Sequence, residues 1–71
     1  MINQLDQLDM ATAYNCIGDV YRDQGRYFNA LEYYNKALLI REKVLGGHHS
    51  DTTKTKKNIE FVTRFQSNRR R

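Results

Sequence analysis

Glycines divide this chain into three segments, and each segment has the length and the apolar spacing of one helix. Gly25 separates the first segment from the second, and the Gly46-Gly47 pair separates the second from the third; the sequence contains no proline. Glycine readily adopts the left-handed backbone conformation in which many helices end. We therefore predict an all-α fold with helices over about residues 10–23, 27–45 and 50–66.

The two ends of the chain are less strongly patterned. Asp9 is predicted to cap the first helix by accepting a hydrogen bond from a free backbone N–H. Ile2, Leu5 and Leu8 have helical spacing, so residues 1–8 form either a short helix or a frayed lead-in. Residues 67–71 contain three arginines and no apolar residue, and a basic disordered tail is expected there.

The first two helices are predicted to pair as an antiparallel hairpin, because only residues 24–26 connect them. Small residues at the joint let the two helix axes approach closely, and tyrosines fill the gaps around them. The small residues are Gly18, Ala30 and Ala37, and the tyrosines are Tyr14, Tyr21, Tyr27 and Tyr34. Such a hairpin cannot bury both of its faces by itself, so it must stack on another element.

Size limits how stable the chain can be alone. With 71 residues, a domain buries only about 60% of the surface that its unfolded chain exposes. The single cysteine, Cys16, cannot form an internal disulfide. We therefore expect the missing contacts to come from further copies of the chain, from a partner, or from the rest of a longer protein.

Several classes of function are disfavoured. No apolar run approaches the roughly 18 residues of a membrane-spanning helix, and the first ten residues are too polar for a signal peptide. A soluble, cytoplasmic protein is expected. Cys16 lacks a histidine or aspartate at catalytic spacing, and His48-His49 lacks the further ligands of a metal site. We expect neither an enzymatic activity nor a cofactor.

The positive charge is concentrated in the last third of the chain. Residues 1–47 carry five basic and six acidic side chains, whereas residues 48–71 carry seven basic ones and only Asp51 and Glu60. The net charge of +4 therefore comes entirely from the C-terminal segment. An acidic protein surface or RNA is one possible partner for such a segment, and a solvated helix face is the other interpretation.

The residues of the hairpin resemble a known repeat. Tyr14, Ile17, Gly18, Tyr21, Ala30, Tyr34 and Ala37 match the aromatic, Leu, Gly, Tyr, Ala, aromatic and Ala positions of the tetratricopeptide repeat signature. Glu42 stands where that signature has proline, and the second helix continues to Gly46. The segment is similar to the 42-residue variant found in kinesin light chain and nephrocystin-like proteins.

An offset of 42 residues aligns the third segment with the first. It pairs Asp9 with Asp51, Ile17 with Ile59 and Val20 with Val62, but it places Glu60 at the position of Gly18. The resemblance implies a complete repeat hairpin over residues 9–47 and the first helix of a degenerate second repeat over residues 48–66. A charged first helix of this kind is typical of the capping end of an α-solenoid.

The resemblance also implies a function. In this family the first helices of successive repeats line a concave surface that binds peptides or partner helices, so a protein–protein interaction or scaffold module is expected. Transferred by register, the binding positions are Thr12, Asn15, Asp19, Arg22 and Asp23 on the first helix. On the third helix they are Lys54, Lys57, Phe61, Arg64 and Phe65. Asn15 offers both a donor and an acceptor to a peptide backbone.

Two further possibilities stay open. The chain is expected to self-associate, either by stacking of repeats or by exchange of a helix between copies. The alternative function is a basic adaptor that binds RNA or an acidic surface through Lys54, Lys56, Lys57, Arg64 and the arginines of residues 69–71. The two functions should differ in their salt dependence.

Overall fold

The chain folds into three helices in which the second helix lies between the other two. The computed structural model describes the backbone of residues 3–69 and the side chains of residues 3–66. Helix α1 spans Gln4–Asp23, α2 spans Tyr27–Leu45 and α3 spans Ser50–Arg69. Residues 3–69 contain no strand. The prediction of an all-α hairpin followed by a third helix is confirmed.

Helix α1 begins six residues earlier than predicted, and the predicted cap at Asp9 is wrong. Asn3 is the N-cap, because its Oδ1 accepts a hydrogen bond from the backbone N–H of Asp6 at 2.9 Å. Asp9 lies exposed within the helix. The predicted lead-in is therefore helical from Gln4, and Leu8 is half-buried. Asn and Asp cap helices about equally well. A helix that begins after Asn3 is longer than one that begins after Asp9, so it is favoured by its additional backbone hydrogen bonds. Met1 and Ile2 lie outside the described residues.

Gly25 ends α1 in the conformation that the sequence predicts. Its φ is +78°. The N–H of Gly25 donates to the carbonyl of Arg22 at 3.0 Å, and the N–H of Arg26 donates to the carbonyl of Tyr21 at 2.8 Å. This pair of bonds satisfies two carbonyls that the helix end would otherwise leave free. The chain consequently reverses within three residues, and α2 begins at Tyr27 as predicted.

Helices α1 and α2 meet where the ring of Tyr34 lies on Gly18. A Cβ atom at position 18 would stand only 2.7 Å from Cδ1 and Cε1 of this ring. Tyr34, Ala11, Ala30 and Ala37 are fully buried. The phenolic O–H of Tyr34 donates a hydrogen bond to the carboxylate of Asp19. Gly18 therefore makes the room that a large buried ring needs in the hairpin.

Helix α3 packs on the other side of α2 with few apolar residues. Val62 is fully buried and forms one cluster with Ala30 and Tyr34, and Ile59 packs against that cluster. Thr52 and Thr55 are fully buried as well. The rest of the docking surface is therefore polar, and it depends on Arg41.

The Arg41 guanidinium lies buried between all three helices. It donates hydrogen bonds to Thr55 Oγ1 at 2.7 Å, to the Asp51 carbonyl at 3.3 Å and to Thr12 Oγ1 at 3.5 Å. Thr52 Oγ1 donates in turn to the Arg41 carbonyl at 3.3 Å. All of these acceptors are neutral, and no carboxylate among residues 3–66 forms an ion pair with Arg41. A buried charge needs such hydrogen bonds in place of the water it has lost, so the arginine holds α3 in one position.

The C-terminal end of α3 differs from the prediction. The helix continues to Arg69, three residues beyond the predicted end of the helix, and the disordered tail over residues 67–71 stays a prediction. Residues 70 and 71 lie outside the described part of the chain.

Substitution of Gly18 by Ala tests the close contact in the hairpin. In a helix interior, Gly→Ala normally stabilises by about 1 kcal/mol, but here the added methyl group overlaps a buried ring, which typically costs about 1–3 kcal/mol. We expect G18A to lower the free energy of unfolding by about 1 kcal/mol, measured by urea denaturation. In a Tyr34→Leu background the same substitution should stabilise the protein, and stabilisation in the wild-type background would contradict the contact.

Tyr34 should make the protein sensitive to alkaline pH. Burial, followed by the hydrogen bond to Asp19, raises the pKa of Tyr34 above its ordinary value of 10.0. The unfolded state therefore loses this proton at a lower pH than the folded state does, and stability must fall as the pH rises above 10.0. In Y34F this part of the fall should vanish in thermal melts between pH 9 and pH 11. An identical alkaline slope in Y34F and wild type would refute the assignment.

Arg41→Met should loosen α3 selectively. Hydrogen bonds to a charged group contribute about 1.5–3 kcal/mol, and most of those made by Arg41 reach α3. We expect faster amide hydrogen exchange in α3 than in the α1–α2 hairpin. Lys43→Met, an exposed change on the same helix, is the matched control and should leave exchange unchanged. Equal acceleration in all three helices would contradict a docking role for Arg41.

Candidate binding cleft

An open cleft of about 620 Å³ lies between the C-terminal half of α1 and the middle of α3. Both helices pack on α2 and make fewer contacts with each other than with α2. The lining side chains are Arg22, Asp23, Tyr27, Lys57, Asn58, Phe61 and Phe65. On α3, positions 57, 58, 61 and 65 share one helix face. The cleft therefore combines a polar wall on α1 with an aromatic and basic wall on α3.

Three aromatic rings form a continuous apolar surface in the cleft. Phe61 meets Phe65 edge-on with 4.7 Å between ring centroids, and Phe65 stacks on Tyr27 at 5.7 Å. Phe61 is 49% exposed and Phe65 is 41% exposed. Large aromatic side chains that face water in a concavity are typical of binding sites. This surface can take an apolar side chain of a ligand.

The two cations of the cleft differ in whether they have an acidic partner within the chain. The Arg22 guanidinium forms ion pairs with both Asp19 and Asp23, each at 3.4 Å. Asp19 also accepts the hydrogen bond from Tyr34. Lys57, in contrast, is exposed and forms no ion pair with any of residues 3–66. Lys57 is therefore the cation of the cleft that is available to an acidic ligand.

Asn15 holds the helices together rather than standing open in the cleft. Its Oδ1 accepts hydrogen bonds from Asn58 Nδ2 at 3.3 Å and from Thr55 Oγ1 at 3.5 Å, and Asn15 is half-buried. Its Nδ2 makes no hydrogen bond within the described side chains, so this amide can still donate to a ligand. Thr12 is exposed, but its Oγ1 is engaged with the Leu8 carbonyl at 3.1 Å and with Arg41.

The predicted binding residues fall into three groups. Arg22, Asp23, Lys57, Phe61 and Phe65 come together in the cleft. A second group lies on the same side of α1, but its side chains form hydrogen bonds within the chain: Thr12, Asn15 and Asp19. Lys54 and Arg64 do not line the cleft. Arg64 pairs instead with Glu60, one turn away on α3, at 3.8 Å.

The sequence interpretation missed Tyr27 and Asn58 as cleft residues. Tyr27 packs against the core cluster as predicted, and its ring also lies beside Phe65. No pattern in the sequence marks Asn58 as a cleft residue, because its place in the cleft depends on the hydrogen bond to Asn15. Only the packing of α3 against α2 brings these two side chains to the same opening.

The described residues contain neither a cluster of side chains that could hold a metal ion nor a helix that could cross a membrane. No group of three or more His, Cys, Asp or Glu side chains that could hold a metal ion occurs there. His49 Nδ1 accepts a hydrogen bond from the backbone N–H of Asp51 at 3.1 Å, which fits a loop role at the start of α3. Within the same part of the chain, no helix has the length and apolar character needed to cross a membrane.

Comparison with known proteins identifies the family. The family model of the tetratricopeptide repeat matches residues 9–69, which include both walls of the cleft. No curated protein and no solved structure matches the chain significantly. The match does not distinguish the kinesin light chain type of repeat, which remains a prediction. Repeats of this family are non-catalytic modules that generally mediate protein–protein interaction or scaffolding. The chain belongs to the tetratricopeptide repeat family.

Proposed function

We propose that the cleft between α1 and α3 binds an extended segment of a partner protein in which an acidic side chain lies close to an aromatic or large aliphatic one. The observation that carries this proposal is the position of the exposed Lys57 beside the rings of Phe61 and Phe65. The rings favour an apolar group and the ammonium group favours a carboxylate. A ligand with both groups would gain from desolvation and from charge at the same time.

The polar wall favours an extended backbone as the ligand. Asn15 Nδ2 can donate a hydrogen bond to a peptide carbonyl while Oδ1 keeps its bonds to α3. Because Oδ1 is held by Thr55 and Asn58, the amide is already oriented before a ligand arrives, which lowers the entropy cost of binding. Arg22 is oriented in the same way by its two carboxylate partners. These contacts give Asn15 and Asp19 a role in shaping the wall.

The repeat organisation that we propose accompanies this function. Residues 9–47 form one complete hairpin and residues 48–66 form the first helix of a degenerate second repeat, so the cleft lies between the first helices of two successive repeats. The cytoplasmic location remains a prediction from the sequence.

Binding of RNA or an acidic surface is the less favoured alternative. Of the basic residues on which it depends, Lys56 lies 3.6 Å from Glu42 and also donates to the Gly47 carbonyl at 3.3 Å. Arg64 is paired with Glu60. Intramolecular partners lower the gain from contacts with phosphates, because fewer unpaired cations remain to neutralise them. Lys54 and Lys57 are exposed, and the side chains of the arginines in residues 69–71, on which this alternative also depends, lie outside the described part of the chain.

Fluorescence anisotropy with two labelled peptides tests the proposal. The first peptide has Glu residues on both sides of a Phe, and the second has Gln at the same positions. We expect the Glu peptide to bind more tightly, and K57E to weaken its binding about tenfold because a charge in the cleft is reversed. Phe61→Ala should weaken both peptides. Arg64→Glu, an exposed charge reversal outside the cleft, is the matched control and should change binding less than about twofold.

Three results would contradict the proposal. If K57E and R64E weaken binding equally, the cleft is not the site. If a single-stranded RNA binds instead and its affinity falls about a hundredfold or more from 50 to 200 mM salt, the basic adaptor function is correct. Indifference of the wild-type protein to both peptides and to RNA would refute this ligand chemistry.

A further inference from the structure

The α1 wall of the cleft carries an excess of negative charge. Asp23 lines the cleft, and its side chain is 74% exposed. Its partner is the Arg22 guanidinium at 3.4 Å, but that group is shared with Asp19, also at 3.4 Å. Arg26, on the other side of the turn, forms no ion pair with any of residues 3–66. Two carboxylates thus share one cation, so a basic group of a ligand can approach Asp23 from the cleft.

The rings beside Asp23 suit the stem of a basic side chain. Tyr27 and Phe65 line the same cleft and stack on each other at 5.7 Å. Lysine and arginine have apolar stems that pack on apolar surface, and aromatic faces attract their charged ends. The chain shows such a contact elsewhere, where Lys36 Nζ lies 5.1 Å from the centroid of the Tyr33 ring. A carboxylate next to rings therefore favours a lysine or an arginine as its ligand.

The two charges that are available to a ligand lie on opposite walls of the cleft. Lys57 belongs to α3 and Asp23 belongs to α1. In an extended segment, successive side chains point to opposite sides. A segment that lies along the cleft therefore directs every second side chain to α3 and the others to α1. An acidic residue that faces Lys57 and a basic residue that faces Asp23 must be an odd number of positions apart.

The number of positions follows from distances along the helices. The chain reverses after α1 and again after α2, so α1 and α3 run in the same direction. The hydrogen bond between Asn15 and Asn58 marks a level at which they meet, and Lys57 adjoins it. Asp23 lies eight residues beyond Asn15, which is about 12 Å along a helix. Three steps of an extended chain cover about 10 Å and five cover about 17 Å, so three is the odd number that fits best.

The rings of α3 lie between these two charges. Phe61 and Phe65 follow Asn58 by three and seven residues, which is about 4.5 and 10.5 Å along the helix. In the ligand, the side chain two positions from the acidic one also faces α3, about 7 Å along the cleft. It therefore lies between the two rings, which meet edge-on. An apolar side chain is favoured at this position.

From this arrangement we propose that the cleft selects a partner segment in which an acidic and a basic residue are three positions apart, with an apolar residue two positions from the acidic one. Lys57 determines the acidic position, and Asp23 determines the basic one. The spacing is the same for either direction of the partner chain. The inference rests on the proposed function, to which it adds a basic group, a spacing and Asp23 as a specificity-determining residue.

Fluorescence anisotropy with labelled peptides that differ only at the basic position tests the role of Asp23. The reference peptide contains Glu-Ser-Phe-Lys, and two others have Gln or Glu in place of Lys. We expect the wild-type protein to bind the Lys peptide about tenfold more tightly than the peptide with Glu at that position, because one charge is reversed. Asp23→Lys should reverse this preference. Asp9→Lys, the same change at an exposed position of α1 outside the cleft, is the matched control and should keep the wild-type preference.

The fold should tolerate the test variant. Asp23 is the last residue of α1, and a cation is favourable in the last turn of a helix. Circular dichroism checks that both variants stay helical. Self-association, which remains a prediction from the sequence, is checked by sedimentation velocity at the concentrations used.

A peptide with Glu-Ser-Phe-Ser-Lys tests the spacing. Its lysine is four positions from the glutamate, so in an extended segment it faces α3 instead of Asp23. The advantage of Lys over Gln should therefore disappear at this position. An equal advantage at both positions would overturn the spacing. The peptide Lys-Phe-Ser-Glu keeps the spacing in the opposite chain direction, and at least one of the two directions must show the preference for Lys.

These measurements separate a failure of this inference from a failure of the proposed function. If binding depends on the glutamate and on Lys57 but not on the peptide lysine or Asp23, the inference is wrong and the proposed function stands. Binding of none of the peptides refutes both. If Asp9→Lys changes the preference as much as Asp23→Lys does, the effect comes from net charge rather than from the cleft, and the inference is overturned.

Discussion

The contact between Gly18 and the ring of Tyr34 is the constraint on which the rest of the fold depends. The ring of Tyr34 lies fully buried against Gly18, where a side chain on α1 would overlap it. The contact fixes the separation of α1 and α2, and the same ring contributes to the surface that receives Val62 of α3. Its hydroxyl group also engages Asp19, so the core contact and the polar wall of the cleft share one side chain.

The attachment of α3 follows a different principle, because polar groups replace most of the apolar contact. Thr52 and Thr55 occupy positions where α1 carries Met10 and Ala13. The Arg41 guanidinium donates a hydrogen bond to Thr55, and the Arg41 carbonyl accepts one from Thr52. Isolated buried polar groups cost stability, but a network with every member hydrogen-bonded avoids that cost, and no buried side-chain nitrogen or oxygen among the described residues is left without a partner. This explains how a helix with few apolar residues can still be part of one compact unit.

The sequence predicted the architecture well because the decisive signals were local. The Gly25 turn, the bounds of α2 and the small residues facing Tyr34 each follow from residue type and spacing. The errors arose where two local signals competed or where a role depended on a distant contact. Asn3 displaced Asp9 as the cap, and residues 67–69 extended a helix that lacked apolar support. The bonds of Asn15 to Thr55 and Asn58 on α3 have no signature in the sequence, and its role as a binding residue stays a prediction.

The hydrogen bonds of Arg41 have a geometric consequence for the cleft. Apolar side chains can exchange neighbours when one helix slides along another, but a guanidinium group has donors in fixed directions. A slide of α3 by one turn, about 5.4 Å, would separate Arg41 from both Thr55 and the Asp51 carbonyl. The register of α3 against α2 is therefore discrete rather than continuously adjustable. Lys57 and Phe61 belong to this helix and Arg22 belongs to the opposite wall. The distance between the two walls of the cleft is therefore set by Arg41, which does not line the cleft.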